Sequence, residues 1–244
     1  MMRNRIAFLV GLVLSCGCMP IPSIDEDNSG QGGKDPVLYP LATYLFDGSA
    51  ADASGHGYDG VLNGNPEFIT DTPDGSSGAL KLNAFKEQFV NIPYDLFMGL
   101  ESFSFSAWIK DFSQGMVFSS EGGNGLPYLY VRDSQKFMLF NDSYSSKYNP
   151  DSYTFAYDCT SIMSSEWHHL AVTSNEGNMA LYIDGRKRDS LRNEYDVSTS
   201  TKVYIGGNAG GDFANYMTMK IDNVMFFDYC LTDSEVNYIY SNKL

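Results

Sequence analysis

The chain is short of positive charge. Its 244 residues include 16 Lys and Arg against 30 Asp and Glu, a formal charge of −14. That excludes nucleic acid as a partner, because binding a polyanion needs a basic stripe. The one Lys/Arg cluster, Arg186-Lys187-Arg188, has acidic residues on both sides. Helical periodicity is equally scarce. A single stretch carries it, which excludes a helical bundle and argues against a doubly wound α/β domain. No apolar run is long enough to cross a bilayer as a helix. The Gly-x-Ser-x-Gly, zinc-protease and P-loop signatures are all missing. What the chain does have is 43% hydrophobic residues, enough for a core, with 14% aromatics, 23 Gly and 9 Pro. That mixture points to many short strands joined by turns.

The N-terminus reads as an address. Arg3 and Arg5 precede an apolar run over residues 6–14, the n-region and h-region of a signal peptide. The run ends in Val13-Leu14-Ser15-Cys16, which resembles a bacterial lipobox. The resemblance implies that Cys16 receives a diacylglycerol thioether and becomes the mature N-terminus. Cys18 is the second choice, and an ordinary secretory signal with a chance cysteine is the alternative. Loss of residues 1–15 removes Arg3 and Arg5 and no acid, taking the charge from −14 to −16. Residues 16–37 are dominated by Gly, Pro, Ser and acid and read as a flexible tether. Their acidic run, Asp25-Glu26-Asp27, resembles surface-export signals of some double-membraned bacteria. The expected location is a bacterial cell envelope, with the lipid at the outer membrane. Cys159 and Cys230 are the pair lying wholly inside the expected folded region, residues 38–244. An envelope permits a disulfide between them, and the sequence leaves open whether they meet.

From residue 38 onward, segments of period two recur between turn residues, which predicts strands. They cover residues 42–46, 60–63, 79–83, 88–92, 102–110, 116–119, 128–131, 137–140, 167–174, 179–184, 203–206 and 219–227. Residues 102–110 alternate cleanly, with Phe103, Phe105, Ala107 and Ile109 on one face and Ser102, Ser104, Ser106 and Trp108 on the other. Asp184-Gly185 signals a tight hairpin. Thr232-Asp233-Ser234-Glu235 is a capping box. Val236, Ile239 and Tyr240 follow at helical spacing, so a short surface helix closes the chain. Neither a second domain nor an internal repeat is visible. The expected fold is all-β, a sandwich of about a dozen strands with one short C-terminal helix.

A series of short segments runs in a set order over residues 40–240. They begin with Tyr44-Leu45-Phe46-Asp47-Gly48, Asp52-Ala53-Ser54-Gly55-His56-Gly57 and Asp59-Gly60. Ala79-Leu80-Lys81-Leu82, Phe89-Val90-Asn91-Ile92-Pro93 and Phe103-Ser104-Phe105-Ser106-Ala107-Trp108-Ile109 come next. Glu166-Trp167-His168-His169-Leu170-Ala171-Val172 and Leu181-Tyr182-Ile183-Asp184-Gly185 are the most diagnostic. Tyr204-Ile205-Gly206-Gly207, Ile221-Asp222-Asn223-Val224 and Leu231-Thr232-Asp233-Ser234-Glu235-Val236 end the series. Together these segments resemble the LamG-like jelly-roll family of the concanavalin A-like lectin/glucanase superfamily. Residues 141–160 depart from the family pattern by their length and their tyrosines. Asn83-Ala84-Phe85 stands where members usually carry Gly or Asp-Gly. The resemblance implies a two-sheet antiparallel jelly-roll sandwich with its first and last strands adjacent. It also implies a carbohydrate-binding or adhesion role and, in many members, a calcium ion at the rim.

Calcium wants several carboxylates plus backbone carbonyls from a tight loop. If the terminal strands pair, Asp47, Asp52 and Asp222 converge at one edge; the alternative is three solvated turn aspartates. For a glycan, the informative stretch is residues 141–158, where Tyr144, Tyr148, Tyr153 and Tyr157 stand with Phe155 among Ser, Asn and Asp. Aromatic faces with polar oxygens match the C–H patches and hydroxyls of a sugar. Trp108 is a second candidate if its face is concave, the alternative being packing beneath a loop. Residues 206–216, with Asn208, Asp212, Asn215 and Tyr216, are a third. His168 and His169 point to opposite faces of a strand, so they cannot easily grip one ion and read as structural. Hydrolysis of a glycoside needs two carboxylates. The Glu-x-Asp-x-x-Glu run of related glucanases is matched here by Lys220-Ile221-Asp222-Asn223-Val224-Met225, which lacks both outer acids. The expected function is therefore a lipid-anchored glycan-binding module without catalytic activity. An adhesion module that binds another cell-surface protein is the alternative, and a divergent glycoside hydrolase a third reading.

Overall fold

Alternation of aromatic and small polar residues makes residues 102–110 a strand with two unlike faces. It lies near the middle of a sandwich in a computed structural model that describes residues 35–122, 127–132, 135–141, 154–163, 165–192, 200–207 and 216–244. In chain order the strands are β1 (Ala42–Tyr44), β2 (Val61–Asn63), β3 (Glu67–Ile69), β4 (Ala79–Leu82), β5 (Phe89–Ile92), β6 (Ser102–Lys110), β7 (Gly115–Gly122) and β8 (Pro127–Val131). They continue with β9 (Lys136–Asn141), β10 (Thr154–Asp158), β11 (His168–Asn175), β12 (Asn178–Ile183), β13 (Arg186–Arg192), β14 (Ser200–Ile205) and β15 (Met219–Phe227). Helix α1 (Asp233–Asn242) closes the chain. Among the described residues, one sheet has eight strands, ordered β13-β12-β11-β6-β15-β4-β3 with β1 also paired to β15. The other has seven, ordered β10-β9-β8-β7-β14-β5-β2. Every pairing is antiparallel. This is the expected jelly-roll sandwich, and Asp35–Leu244 form one compact unit.

The core between the sheets is aromatic. Phe97, Phe103, Phe105, Phe118 and Phe226 are buried together. Phe105 lies 4.7 Å from Phe118 and 5.2 Å from Phe226 between ring centroids. Tilted and edge-on rings at such distances add roughly 0.5–1.5 kcal/mol per pair beyond the area they bury.

The outer face of β6 differs from expectation. Ser104, Ser106 and Trp108 are buried rather than wet, because residues 228–244 lie over them. The Ser104 hydroxyl donates to the Tyr229 carbonyl at 2.9 Å and accepts from the Leu231 N–H at 2.8 Å. Val236 and Ile239 of α1 join Ala171, Tyr182, Met225 and Phe227 in a second core on this face. The capping box forms as predicted: the Thr232 hydroxyl accepts from the Glu235 N–H at 3.2 Å, and Glu235 accepts from the Thr232 N–H at 2.8 Å.

Turns explain much of the register. Asp184 and Gly185 both have positive φ, 53° and 70°, as a two-residue turn of the favoured hand requires. The hairpin partner it creates, β13, was not foreseen. Its residues are mostly exposed and charged, the mark of a protected edge strand rather than of an alternating one. β10 was read as part of a loop, yet Phe155 is fully buried in the core. The cysteines do not pair: Cys159 and Cys230 are free thiols. Cys159 is buried, its thiol donates to the Gln135 carbonyl at 3.0 Å, and burial pushes its pKa up to about 11.

If α1 is held by its buried face, Ile239→Ala should cost about 2–4 kcal/mol in urea unfolding. The exposed Asn237→Ala should stay within about 0.5 kcal/mol of wild type. Equal losses would show that the helix is not seated on the sheet.

Candidate functional site

The strand β15 meets β6 along one edge and two short strands along the other. Met219–Ile221 pair with β4, and Val224–Phe226 pair with β1. Asp222 and Asn223 fall in the gap between them, where the register with β6 also shifts. Asn223 adopts φ of 47°, a left-handed conformation that Asn tolerates better than most residues. Asp222 is fully buried. Its Oδ1 accepts from the Asn223 N–H at 2.8 Å. Asp222 Oδ2 and the nearby Ser76 hydroxyl approach each other without reaching hydrogen-bond geometry. Burial, with the charges of Asp74 and Asp47 added, pushes the Asp222 carboxyl up to about 7.

The three expected acids therefore do not act together. Asp47 and Asp222 are neighbours, as adjacent terminal strands imply. Asp52 is committed to its own loop, where it accepts from the Thr43, Ser54 and Tyr58 N–H groups at 2.9, 2.9 and 3.0 Å and from the Ser54 hydroxyl at 2.8 Å. Burial raises its pKa, but these bonds outweigh burial and hold it below the usual carboxylate value. Asp74, which the sequence reading missed, takes its place beside Asp222. Nothing local marks Asp74, because a turn Asp-Gly is common. Among the described residues, no three His, Cys, Asp or Glu side chains converge closely enough to form a metal cluster on their own.

The aromatic candidates separate in the same way. Tyr144, Tyr148 and Tyr153 lie outside the described residues, as do Asn208, Asp212, Asn215 and Cys16. Tyr157 is half-buried against the core, and the Arg188 guanidinium stands 5.9 Å over its ring. Trp108 is 5% exposed. Its ring stacks on Tyr240 of α1 at 5.7 Å, and its indole N–H donates to the Leu244 carbonyl at 3.1 Å. Of the two readings of Trp108 the packed one holds: this face of β6 is covered, and Trp108 lies beneath the C-terminal segment. Tyr216 is buried against Phe89.

The two histidines occupy different settings. His169 is fully buried, 2.8 Å from the Ser106 hydroxyl through Nε2, while Nδ1 has no partner. His168 Nδ1 lies 3.0 Å from Asp184 Oδ2, and Asp184 Oδ1 accepts from the His169 N–H at 3.1 Å. The pairing of β11 with β12 joins these residues across two segments already notable in sequence. Beside them the Trp167 indole N–H donates to Asp71 Oδ1 at 3.0 Å.

A family model of the concanavalin A-like lectin/glucanases superfamily, Laminin_G_3, matches residues 84–237. The chain belongs to this family. Among solved structures it is similar to domain 4 of AbnA, a GH43 extracellular arabinanase from Geobacillus stearothermophilus, solved in complex with arabinotriose. That likeness has a TM-score of 0.62 at 23% identity and covers 81% of this chain and 96% of that one. The binding domain of botulinum neurotoxin serotype D is similar with TM-score 0.59 at 18% identity, covering 84% and 51%. The binding domain of botulinum neurotoxin DC, in complex with SialylT, has TM-score 0.58 at 17% identity over the same shares. The chain spans about half the length of these toxin domains. No curated protein matches it.

Two buried groups give opposite pH dependence. Burial lowers the His169 pKa to about 4 from 6.5. The unfolded chain then binds the extra proton, so the stabilisation present above about pH 6.5 is lost as pH falls toward 4. Asp222 is raised, so in metal-free protein its folded form holds the proton, and its contribution grows as pH falls from 7 toward 4. In chelator, Asp222→Asn should steepen the loss of urea stability between pH 6.5 and 4, and His169→Gln should abolish or reverse it. Parallel profiles for both variants would refute these assignments.

Proposed function

We propose that the protein is a lipid-anchored carbohydrate-binding module of a bacterial cell envelope, without catalytic activity. The support that carries the reading is the likeness of fold to nearly the whole of an arabinanase domain solved with arabinotriose. The toxin domain in complex with SialylT adds a second saccharide-bound relative in fold. The lipobox at Cys16 and the tether that follows support an anchored module held away from the membrane, at the outer membrane of the envelope. Absence of catalysis is supported by two features of β15. Lys220, ion-paired to Asp71 at 2.8 Å and Asp111 at 2.9 Å, stands where a glucanase-like run needs an acid. Asp222 is fully buried, out of a substrate's reach.

A structural calcium ion belongs to the same proposal. The buried, unpartnered Asp222 Oδ2 and the pressure of Asp47 and Asp74 on that carboxyl fit a cation in the gap of β15. No three acid side chains already stand at metal-binding distance among the described residues, so an ion there would be held by Asp222, with Asp47 and Asp74 drawn toward it and backbone oxygens completing the shell. Bound there, calcium would supply the charge that three neighbouring carboxylates lack.

A polysaccharide array with the purified protein tests the main reading, and binding to at least one glycan class is expected. Retention of an envelope protein with no glycan bound would favour the adhesion alternative instead. Cys16→Ala should release the protein from the membrane fraction; persistence there would remove the lipid anchor. At pH 8, calcium added to chelated protein should raise the melting temperature. Asp222→Asn should abolish that rise, and Asp52→Asn should keep it. A melting temperature indifferent to calcium would remove the ion.

A further inference from the structure

The start of β11 and the end of α1 border a groove of about 540 Å³, within the range of small-molecule sites. The chain has two tryptophans, and both line it. We propose that this groove is a binding site for a neutral sugar chain, with Trp167 and Tyr240 as its aromatic walls. The proposal rests on the glycan-binding reading and gives it an address.

Both aromatic walls are held rigidly before any ligand arrives. Trp167 is fixed by its bond to Asp71, and Asp71 is clamped in turn by Lys220 at 2.8 Å and Lys110 at 3.0 Å. Those partners hold the Asp71 carboxyl down to about 2. Tyr240 is stacked on Trp108 with 22° between the planes. It also packs against Gly185, where a Cβ would lie 2.7 Å from the ring and where φ is +70°. No other residue fits that turn without moving the tyrosine. Rings fixed in this way bind with little loss of side-chain entropy.

The rim supplies polar groups of the right kind. Glu166 is exposed, and Ser241 and Lys243 face it from the helix end. Among the described residues the Tyr240 hydroxyl makes no hydrogen bond, so it is free to donate or accept. Acceptors and donors beside aromatic faces suit a sugar, which presents hydroxyls and C–H patches together. The charges choose among sugars. Glu166 and Asp184 bring two carboxylates against Lys243 and a His168 already paired with Asp184. An acidic sugar would meet repulsion there, whereas a neutral one would not.

Intrinsic fluorescence reads this site directly, since no tryptophan lies elsewhere. The purified protein is titrated with arabinotriose, xylotriose, cellotriose, mannotriose and, as an acidic probe, trigalacturonic acid. At least one neutral trisaccharide should shift the tryptophan emission, and trigalacturonic acid should not. Trp167→Phe should remove most of the shift. Tyr240→Phe, which keeps the stacked ring and removes only the hydroxyl, and Glu166→Gln at an exposed position should weaken binding about tenfold while leaving the melting temperature unchanged. Silence from all four neutral trisaccharides, or a preference for the acidic one, overturns the groove. If the polysaccharide array is positive but emission and affinity ignore all three variants, the glycan lies elsewhere and the groove alone falls. If the array is also blank, the glycan-binding reading falls with it.

Discussion

One edge of β15 is shared by two strands too short to meet, and the buried acid at that end of the molecule follows from the junction. β4 satisfies residues 219–221 and β1 satisfies 224–226. The two residues between them have no ladder partner on that side. A backbone N–H left dry would cost about 1–3 kcal/mol. Asp222 meets the need by accepting from the N–H of Asn223, its own neighbour. The solution carries its own cost, because it buries a carboxyl whose second oxygen has nothing to bind. The acidic cluster is thus no accident of surface composition. A fold that brings its first and last strands together creates the gap, and the gap draws in the acid.

The same strand explains the cover on the eight-stranded sheet. β6 and β15 together present Ser104, Ser106, Trp108, Met225 and Phe227 outward, a face neither polar enough for water nor apolar enough for a plain hydrophobic lid. The C-terminal segment answers both halves. Its backbone bonds Ser104 and Trp108, while Val236 and Ile239 cover the apolar part. Buried polar groups demand partners at fixed positions, so the serines and the indole specify where the segment lies. The apolar contacts supply adhesion without that precision. His169 is the imperfect member of this layer, with one ring nitrogen bonded and the other left without a partner.

What was legible in the sequence tracks how local the cause is. The Asp184-Gly185 turn, the Thr232 capping box and the alternation of β6 each arise within a few residues, and the structure has them where the pattern put them. β13 escaped because an edge strand is not obliged to alternate; its charges guard the edge instead. Trp108 was read as a candidate for display because its neighbours on that face are serines. Only the distant residues 228–244 reveal those serines as buried hydrogen-bonding anchors. That Asp74 rather than Asp52 lies beside Asp222 was hidden for a similar reason. Whether a turn aspartate closes its own loop or faces a buried carboxyl depends on packing between loops more than a hundred residues apart from β15. Trp167, His168 and Asp184 stood in the most diagnostic motifs, yet strand pairing was needed to show them as one surface.

The buried junction and the groove are also mechanically joined. Asn223, beside the orphaned carboxyl, donates through its side-chain amide to the Lys243 carbonyl at 2.9 Å. Lys243 itself borders the groove, and the next residue, Leu244, accepts from Trp108. The last two residues are therefore pinned from both sides, by the bulge of β15 and by an indole of the groove floor. Burial pushes the Asp222 carboxyl beside that bulge up to about 7, so a proton offsets its charge below neutral pH. One amide and one carbonyl link the bulge to the wall formed by the helix end. A surface built on the C-terminus of a short helix would ordinarily fray. Here the strand junction beneath it supplies the anchorage that the helix alone lacks.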